Sequence, residues 1–566
     1  MSFGYFFPIR SKYRQDHTIV HDVLIVGGGP CGLAVAARLR EKAPAALFTD
    51  AEASRFTWIR AHLRRASIKD QKTGKVRQAP SGESGETSVP DGPTIHVLDE
   101  ESGTWMARWK RYFETFGISQ LRSPMFWHID PQDRDALLSW SHFQGREGEL
   151  RELKHCVGSD LSKHARKKRL RARHTDDNVV SERERLDYFT PSQSLFLDHC
   201  SHVAQRYGLD ADGTIEKARV IDITYDFADQ LPGADPSEKI FTVTTDTGDV
   251  HYARIVVLAI GPANKPNIPP SIVQKLGASG GGRPPQMCHS MNMHAFPDAV
   301  VTRRITAGRD TNILIVGGGL TSAQLADLAI RRGVRNVWLV TRGPWRTRLF
   351  DVDLEWMGKF RNRQHAMYWL LDSDRERCQA YRDARAGGSI PGYYYKILQQ
   401  HEKAGRLHMR SFTSIDASDA HMVFDDHAGA WTVRTSPPIP GMPQMDYIYL
   451  ATGIQSDAKT LPFLQSMQMT YPIDFECGFP CLTDNLMWAK DVPLFFNGRM
   501  AALRVGPAAP NLGGSRAGAE RIAWQIESLL EKRQDEIGQR AKERLAYFTG
   551  DGNQYDCLVP LAETTA

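Results

Sequence analysis

The chain has 566 residues, of which 41% are apolar, so it is long enough to bury a large core and to form several domains. Lys and Arg exceed Asp and Glu by only 71 to 66, too little for a nucleic-acid-binding surface, and we expect no nucleic-acid partner. The apolar runs are shorter than a membrane span, and the N-terminus lacks the apolar core of a secretion signal. The sequence therefore predicts no membrane contact and an intracellular, cytoplasmic location.

The first predicted elements are a strand at residues 23–26 and a helix at residues 33–40, joined by a glycine-rich turn. The turn contains Gly27, Gly29 and Gly32 in GxGxxG spacing, with Pro30 between the last two. In this context the glycines allow a tight turn, approach of a pyrophosphate and close packing of the helix. The free N–H groups of the helix then face the phosphates, so the turn predicts a dinucleotide site.

A second strand is predicted at residues 45–49, and it ends at Asp50. An acid about 20 residues after such a turn accepts hydrogen bonds from ribose hydroxyls. Asp50 is the first candidate for this position and Glu52 the second.

A dense basic run occupies residues 162–173. Such a run is most often a solvated face of the protein. Nuclear targeting and an acidic partner are the alternatives.

A second glycine-rich turn follows the predicted strand at residues 313–316 and contains Gly317, Gly319 and Ser322. Ser322 replaces the third glycine, and its small side chain still permits close packing of the helix. The next predicted strand, residues 336–340, is followed by Arg342 rather than by an acid. Because an arginine accommodates a 2′-phosphate, this second site is predicted to bind NADPH rather than NADH.

Arg346 and Arg348 lie close to Arg342 in the sequence. They either extend the predicted phosphate site or are ordinary solvated arginines.

Two apolar strands end in an A-x-G turn, one after each glycine-rich turn. Paired strands are predicted at residues 219–225 and 239–245, and the first A-x-G strand follows and ends at Gly261. The second ends at Gly453. Both are similar to turns that mark crossings between domains in flavoproteins with two dinucleotides. That similarity implies FAD in the first site and NADPH in the second.

The order of these segments predicts an α/β protein with two dinucleotide-binding, Rossmann-like domains. An FAD-binding domain is split in sequence, with its first part at residues 1–305 and its second part at residues 451–566. An NADPH-binding domain with a helical insertion lies between them, at residues 306–450.

Near the C-terminus, Asn511, Leu512 and Gly513 precede a helix predicted at residues 515–530. Backbone amides at such a helix start suit the pyrimidine ring of a flavin, where negative charge develops on reduction. An ordinary capped helix is the alternative.

The eight cysteines are scattered, and none forms a CxxC pair. The sequence therefore predicts reduced thiols, without a disulfide framework and without a metal site.

The chain resembles class B flavin-dependent monooxygenases, and most closely the N-hydroxylating branch typified by ornithine and lysine N-monooxygenases. The motifs that carry the resemblance are spread over nearly the whole chain: the two glycine turns, residues 121–124, His128 with residues 130–131, His289 with Ser290, residues 387–392, both A-x-G turns and residues 506–522. The fingerprint of flavin-containing and Baeyer–Villiger monooxygenases is not found. Residues that bind the amino acid in ornithine hydroxylases have no match either.

This resemblance implies that NADPH reduces FAD and that the reduced flavin takes O₂ to give a C4a-hydroperoxide. The hydroperoxide oxygenates a nucleophilic nitrogen or sulfur of a small molecule, an amine or a thioether, with amine N-hydroxylation the first choice. His289 and Asn511 are the catalytic candidates, and residues 393–395 are further candidates for the surroundings of flavin or substrate. A homo-oligomer is left open.

Two other functions are weighed against this one. A flavin disulfide reductase needs two redox cysteines near the flavin, whereas Cys31 is alone in the first turn and the spaced pair Cys477 and Cys481 lies far along the chain. A nucleotide-binding regulatory protein without turnover would keep the same fold.

Overall fold

The computed structural model describes residues 19–48, 52, 54–55, 58, 67–69, 76–78, 92–154, 156–157, 182–228, 231, 238–261, 265–269, 272, 286–358, 360–416 and 422–533. Asp50 and the basic run at residues 162–173 lie outside these described residues. No helix within the described ranges is long and apolar enough to cross a membrane.

The strands in chain order are β1 Val20–Val26, β2 Ser67–Lys69, β3 Val76–Gln78, β4 Ile95–Asp99, β5 Arg151–Glu152, β6 Phe189–Thr190, β7 Ile215–Lys217, β8 Val220–Phe227, β9 Lys239–Thr245, β10 Val250–Leu258, β11 Met287–His289, β12 Asn312–Val316, β13 Asn336–Val340, β14 Leu407–Arg410, β15 Ser414–Asp416, β16 Met422–Asp425, β17 Ala430–Ser436, β18 Tyr447–Leu450, β19 Phe475–Glu476, β20 Phe479–Pro480, β21 Met487–Ala489 and β22 Val492–Phe496.

The α-helices are α1 Pro30–Arg40, α2 Ala107–Thr115, α3 Ala136–Phe143, α4 Glu182–Asp187, α5 Gln193–Arg206, α6 Ala299–Thr306, α7 Leu320–Arg331, α8 Arg361–Trp369, α9 Asp374–Arg385, α10 Gly392–Lys403, α11 Gln465–Thr470, α12 Ala502–Val505 and α13 Leu512–Arg533. Short 3₁₀ helices lie at Glu147–Glu149, Ser290–Asn292, Leu354–Trp356, Ala458–Thr460, Pro462–Leu464 and Gly498–Ala501.

The first sheet has the order β21-β22-β10-β1-β4-β7, and β9 and β8 continue it from β10. Neighbouring strands from β22 to β7 are parallel. β1 is buried along residues 23–26 because the sheet lies between layers of the core, and α1 packs there together with α13. Parallel strands covered on both faces read as continuous apolar runs, which explains the predicted strand at residues 23–26.

The second sheet has the order β11-β18-β12-β13-β14, with all neighbours parallel. Its strands lie between β10 and β21 in the sequence, so the first sheet takes strands from both sides of the second. The chain therefore has the α/β fold class that the sequence predicts, with two separate sheets. The domain limits at residues 305 and 450 stay a prediction, and β11 of the second sheet begins at Met287.

Most predicted elements are confirmed, and one is wrong. β12 and β13 cover the predicted strands, β8 and β9 the predicted pair, and α13 the predicted C-terminal helix. The second strand predicted at residues 45–49 does not form over the described residues 45–48, since residues 46 and 47 are a turn and residue 48 is a bend. The neighbour of β1 is instead β4, which the chain reaches only at Ile95.

Candidate functional site

The first glycine turn joins β1 to α1 and lies against the end of β10. Gly27 has φ +113°, and a Cβ atom there would lie 2.5 Å from the carbonyl oxygen of Ala259. A Cβ atom on Gly32 would lie 2.0 Å from the carbonyl oxygen of Gly27. Neither position can hold a side chain, because the carbonyl of Ala259 in the first A-x-G turn and the carbonyl of Gly27 occupy the space.

The start of α1 is open. Gly29 is the N-cap residue and has no side chain that could cap the helix, and Pro30 is the first helical residue. Nothing lies within 4 Å of the position of a Cβ atom on Gly29. Gly261 lines the same cleft as Gly29 and Pro30. Free helix N–H groups beside bare backbone are the arrangement that binds a pyrophosphate, so these residues fit a dinucleotide.

An acid that the sequence analysis missed stands at the end of β4. Oδ2 of Asp99 accepts a hydrogen bond from the backbone N–H of Gly28 at 2.8 Å, and Oδ1 accepts from the N–H of Glu101 at 2.9 Å. β4 lies next to β1, so Asp99 has the position of the ribose-binding acid in a dinucleotide fold. The spacing rule missed it because residues 41–94 separate α1 from β4. An apolar strand ending in an acid, at residues 95–99, was the available indication.

The second glycine turn repeats the first in detail. Gly317 has φ +150°, and a Cβ atom there would lie 2.3 Å from the carbonyl oxygen of Ala451, in the second A-x-G turn. Gly319 is the N-cap of α7 and has no side-chain hydrogen bond. Oγ of Ser322 donates to the carbonyl oxygen of Gly319 at 2.7 Å, so the serine fits where the first turn has glycine. Gly453, at the end of the second A-x-G turn, has φ +87°.

A loop covers the second glycine turn. A Cβ atom on Gly388 would lie 2.9 Å from the Cα atom of Gly319, so the two backbones are in close contact. Arg122 holds this loop from the first half of the chain, since its Nη2 donates to Oγ of Ser389 at 2.9 Å. The same guanidinium donates to the carbonyl oxygens of Arg348 and Leu349, each at 2.9 Å. The sequence analysis noted both motifs but not their contact.

The three arginines after β13 differ in their partners. Arg342 is exposed and has no hydrogen bond or ion pair with any described residue. Arg346 donates to the carbonyl oxygen of Ala386, and Arg348 donates to that of Ala384 at 2.9 Å. Arg346 and Arg348 therefore bind the last carbonyls of α9 and its C-cap. These contacts favour a structural role over phosphate binding for both arginines. Arg342 alone of the three is free to bind a phosphate.

The first turn of α13 is densely packed. A Cβ atom on Gly513 would lie 2.5 Å from Nε1 of Trp127, and one on Gly514 would lie 2.1 Å from the carbonyl oxygen of Ala508. Leu512 begins α13 and packs beside Trp127. Oδ1 of Asn511 accepts a hydrogen bond from Nη1 of Arg385 at 3.0 Å. This contact joins the C-terminal end of α9 to the start of α13.

His289 lies elsewhere, at the end of β11 and beside the second A-x-G turn. Its side chain is buried, and Nδ1 accepts a hydrogen bond from the N–H of Met291 at 3.2 Å. Burial lowers the pKa of His289 to about 4, against a smaller opposite effect of the Gly453 backbone. The imidazole is therefore neutral at neutral pH. His289 and Asn511 are held by different partners.

Two of the tyrosines at residues 393–395 contact neighbouring side chains. The guanidinium of Arg151 lies 4.3 Å from the ring centre of Tyr393. The hydroxyl of Tyr394 donates to Oδ2 of Asp327 at 3.3 Å. These contacts give Tyr393 and Tyr394 packing and hydrogen-bonding partners of their own.

A buried charged network attaches α13 to the segment with His128, and the sequence analysis missed its central residue. Nη2 of Arg516 donates to the carbonyl oxygen of Phe126 at 3.0 Å, and Nη1 lies 3.2 Å from Nε2 of His128. Burial lowers the pKa of Arg516 to about 9. Asp130, fully buried, pairs with Arg206 at 2.6 Å. The motif at residues 128–131 thus has a structural role in fixing the helix start.

The expectation of reduced thiols is wrong for two cysteines. Cys378 of α9 and Cys477, which follows β19, form a disulfide across a sequence separation of 99 residues. Cys31, Cys156 and Cys481 are free. Spacing could not find this bond, because the two cysteines meet only when α9 packs on the C-terminal part of the chain.

No protein-family model and no curated protein matches this sequence. Solved structures do match. The Kutzneria sp. 744 ornithine N-hydroxylase has a TM-score of 0.55 at 14% identity and covers 90% of this chain and 99% of its own. The FAD-bound cadaverine monooxygenase of Erwinia amylovora has a TM-score of 0.54 at 14% identity, covering 90% and 95%. L-lysine 6-monooxygenase from Pseudomonas syringae has a TM-score of 0.53 at 18% identity, covering 90% and 99%.

At these identities the likeness establishes the fold. The chain has the fold of these enzymes over nine-tenths of its length. The Erwinia amylovora enzyme is bound to FAD in its structure, and the Kutzneria enzyme to reduced FAD, NADP⁺ and L-ornithine.

Proposed function

We propose, with this fold as the premise, that the chain is an FAD-dependent, NADPH-consuming monooxygenase that oxygenates a nucleophilic heteroatom of a small molecule. Amine N-hydroxylation is the preferred reaction. The observation that carries the proposal is the inequality of two otherwise equivalent glycine turns. Each turn is closed by the carbonyl of an A-x-G turn, but Asp99 stands beside the first and the unpaired Arg342 follows the strand next to the second.

The first turn is assigned to FAD. The amides at the start of α1 would bind the pyrophosphate, and Gly29 gives the phosphate space to approach. Asp99 takes the ribose hydroxyls in place of Asp50, because Asp99 already lies at the glycine turn. A carboxylate here repels a 2′-phosphate, which suits an unphosphorylated ribose.

The second turn is assigned to NADPH. Arg342 would pair with the 2′-phosphate, and Arg410, exposed at the end of the neighbouring strand β14, is a second cation at this edge. Gly388 and Ser389 would close over the pyrophosphate, since their loop touches Gly319.

When bound, the two nucleotides would supply the redox chemistry, NADPH as the reductant and FAD as the group that activates O₂. The task of this chain is to bind, orient and exclude water. Backbone amides at Leu512 and Gly513 would face the flavin pyrimidine and favour its anionic reduced form. Asn511, oriented by Arg385, would place its amide group at the same helix start. His289, neutral and buried, would act as a hydrogen-bonding group rather than as a cation.

The substrate class rests on the structural neighbours, whose names give cadaverine, ornithine and lysine as substrates. All three carry a primary amine, so an aliphatic amine is the first class to test and a thioether the second. We also propose that the protein acts in the cytoplasm, as the sequence predicts.

The test is to purify the full chain, measure its FAD content, and follow NADPH oxidation with and without O₂ against a panel of amines and thioethers. We expect FAD at about one per chain and O₂-dependent formation of a hydroxylated product. NADPH oxidation that needs a disulfide instead of O₂ would identify a disulfide reductase. Nucleotide binding without turnover of any panel member would favour a regulatory protein.

A further inference from the structure

We propose that His96, His251 and Glu216 form a zinc site on the first sheet. This site is separate from both nucleotide cradles, the backbone sites at the first and second glycine turns. The residues come from three strands, β4, β10 and β7, and their nearest ligand atoms all lie within 4.8 Å of one another. Sequence spacing could not indicate this site, since 155 residues separate the two histidines and only the folding of the sheet brings them together.

The distances fit a tetrahedral ion. Zn²⁺ binds imidazole nitrogen and carboxylate oxygen at about 2.0–2.2 Å, which places two ligands of a tetrahedron about 3.3 Å apart. Oε2 of Glu216 lies 3.4 Å from Nε2 of His96 and 3.9 Å from Nε2 of His251. The ligand atoms of the two histidines lie within 4.8 Å of each other, so the His251 ring would move towards His96 and Glu216 when an ion binds all three.

The chemistry of the ligand atoms points the same way. The Nε2 atoms of His96 and His251 are both buried, and neither makes a well-oriented hydrogen bond with a described residue. A metal ion would bind both of these nitrogen atoms. Two imidazoles and one carboxylate suit Zn²⁺ and leave one position for water.

Surrounding groups hold the rings in place. The rings of His21 and His96 stack at 4.7 Å, and those of His96 and His251 stack at 5.2 Å. The backbone of Gly213 also hydrogen-bonds the His96 imidazole. Such outer contacts orient the ligands of a metal site.

The site would stabilise the sheet that carries the first cradle. His96 precedes Asp99 by three residues on β4, a distance of about 10 Å along a strand. A metal ion bound by residues of β4, β7 and β10 would therefore also stabilise the position of Asp99 at the end of β4. We infer that the ion has a structural role and that the proposed oxygenation does not use it.

The experiment loads the FAD-containing full chain with Zn²⁺, removes unbound metal, and measures bound zinc by elemental analysis and affinity by titration calorimetry. We expect one zinc per chain and a loss of affinity of at least about tenfold in His96→Ala, His251→Ala and Glu216→Gln. The matched controls are His142→Ala and Glu147→Gln, because both residues are exposed and far from the cluster in sequence. They should keep the affinity of the unchanged chain.

Co²⁺ in place of Zn²⁺ gives a second readout, since tetrahedral cobalt has visible absorbance that depends on its ligands. Circular dichroism and the flavin spectrum check that each variant folds. If a single histidine variant fails to fold, Glu216→Gln with the cobalt spectrum still decides the question. Zinc below one-tenth per chain, or equal affinity in the Glu216 and Glu147 variants, would overturn the proposal. Neither result depends on whether the chain is a monooxygenase.

Discussion

The guanidinium of Arg122 donates to Oγ of Ser389 at 2.9 Å and so connects two motifs that lie 267 residues apart. Ser389 belongs to the loop whose Gly388 touches Gly319, at the second glycine turn. The arginine also donates to two carbonyls of the segment at residues 348–349. A side chain from the first half of the chain thus positions the cover of the second cradle.

Replacing Arg122 by Ala should impair NADPH use. Hydrogen bonds of a charged donor contribute about 1.5–3 kcal/mol, so kcat/KM for NADPH should fall roughly 10- to 150-fold. Arg122→Lys should recover only part of this, because one ammonium cannot replace a forked donor. The control is Arg363→Ala, since Arg363 is exposed. Equal kcat/KM in the Arg122 and Arg363 variants would contradict this role.

Substitutions of Asp99 and Asp50 should affect FAD binding differently. Asp99→Ala removes the acceptor of the Gly28 N–H and should weaken FAD binding at least about tenfold, with a stability loss of about 1–3 kcal/mol. Asp50→Ala should retain FAD. The flavin-to-protein absorbance ratio after extensive dialysis measures both. Loss of flavin from the Asp50 variant alone would return the ribose role to that residue.

Arg342→Ala should remove the preference for NADPH over NADH. A charged contact to the 2′-phosphate of about 1.5–3 kcal/mol corresponds to roughly a 10- to 150-fold change in the ratio of kcat/KM values. Arg346→Ala is the matched control, because that side chain is engaged with the carbonyl of Ala386. Steady-state kinetics with both nucleotides gives the ratio. A preference that persists in the Arg342 variant would reject the phosphate assignment.

The disulfide between Cys378 and Cys477 should stabilise the contact of α9 with the C-terminal part of the chain. Loss of such a bond typically costs about 2–4 kcal/mol. We therefore expect Cys378→Ser and Cys477→Ser to unfold at lower denaturant, and reduced wild-type protein to behave like them. Peptide mapping without reduction identifies the pair. If only unlinked peptides are recovered from oxidised protein, the bond does not form in solution.

His289 should make the protein less stable in acid. Its pKa is about 4 in the folded protein and near the ordinary 6.5 when unfolded, so between these values the unfolded chain binds more protons. The contribution of this residue is therefore complete above pH 6.5 and is lost as the pH falls towards 4, at up to about 1.4 kcal/mol per pH unit.

His289→Asn keeps an acceptor for the N–H of Met291 and removes the titration. Denaturant titrations at several pH values give the slope of unfolding free energy against pH. In this variant the slope should fall by the amount that corresponds to the uptake of one proton on unfolding. An unchanged slope would show that His289 does not titrate in this range.

Local patterns predicted both glycine turns well. Val23 to Val26 and Asn336 to Val340 are strands because apolar runs of this kind fit a parallel sheet covered on both faces. Gly27 and Gly317 have φ values that glycine tolerates, whereas the carbonyls that exclude a side chain there belong to the distant Ala259 and Ala451. Arg342 followed from its place directly after a predicted strand.

Other residues could not be predicted from local patterns. Which acid lies at the first turn depends on which strand pairs with β1. That strand is β4, which begins only at Ile95. Whether an arginine is free depends on distant carbonyls, which engage Arg346 and Arg348 but not Arg342. The disulfide and the cluster of His96, Glu216 and His251 arise in the same way.

From the sequence alone came two strand-turn-helix units and the arginine near the end of the strand that follows the second unit, because turn geometry and helix starts depend on neighbouring residues. The tertiary structure decided which acid meets the first turn, which loop covers the second, and which side chains are left without a partner. Those outcomes depend on strand pairing and on charge pairing between residues up to several hundred positions apart, such as Arg38 and Glu520. Short-range sequence patterns carry no information about such contacts.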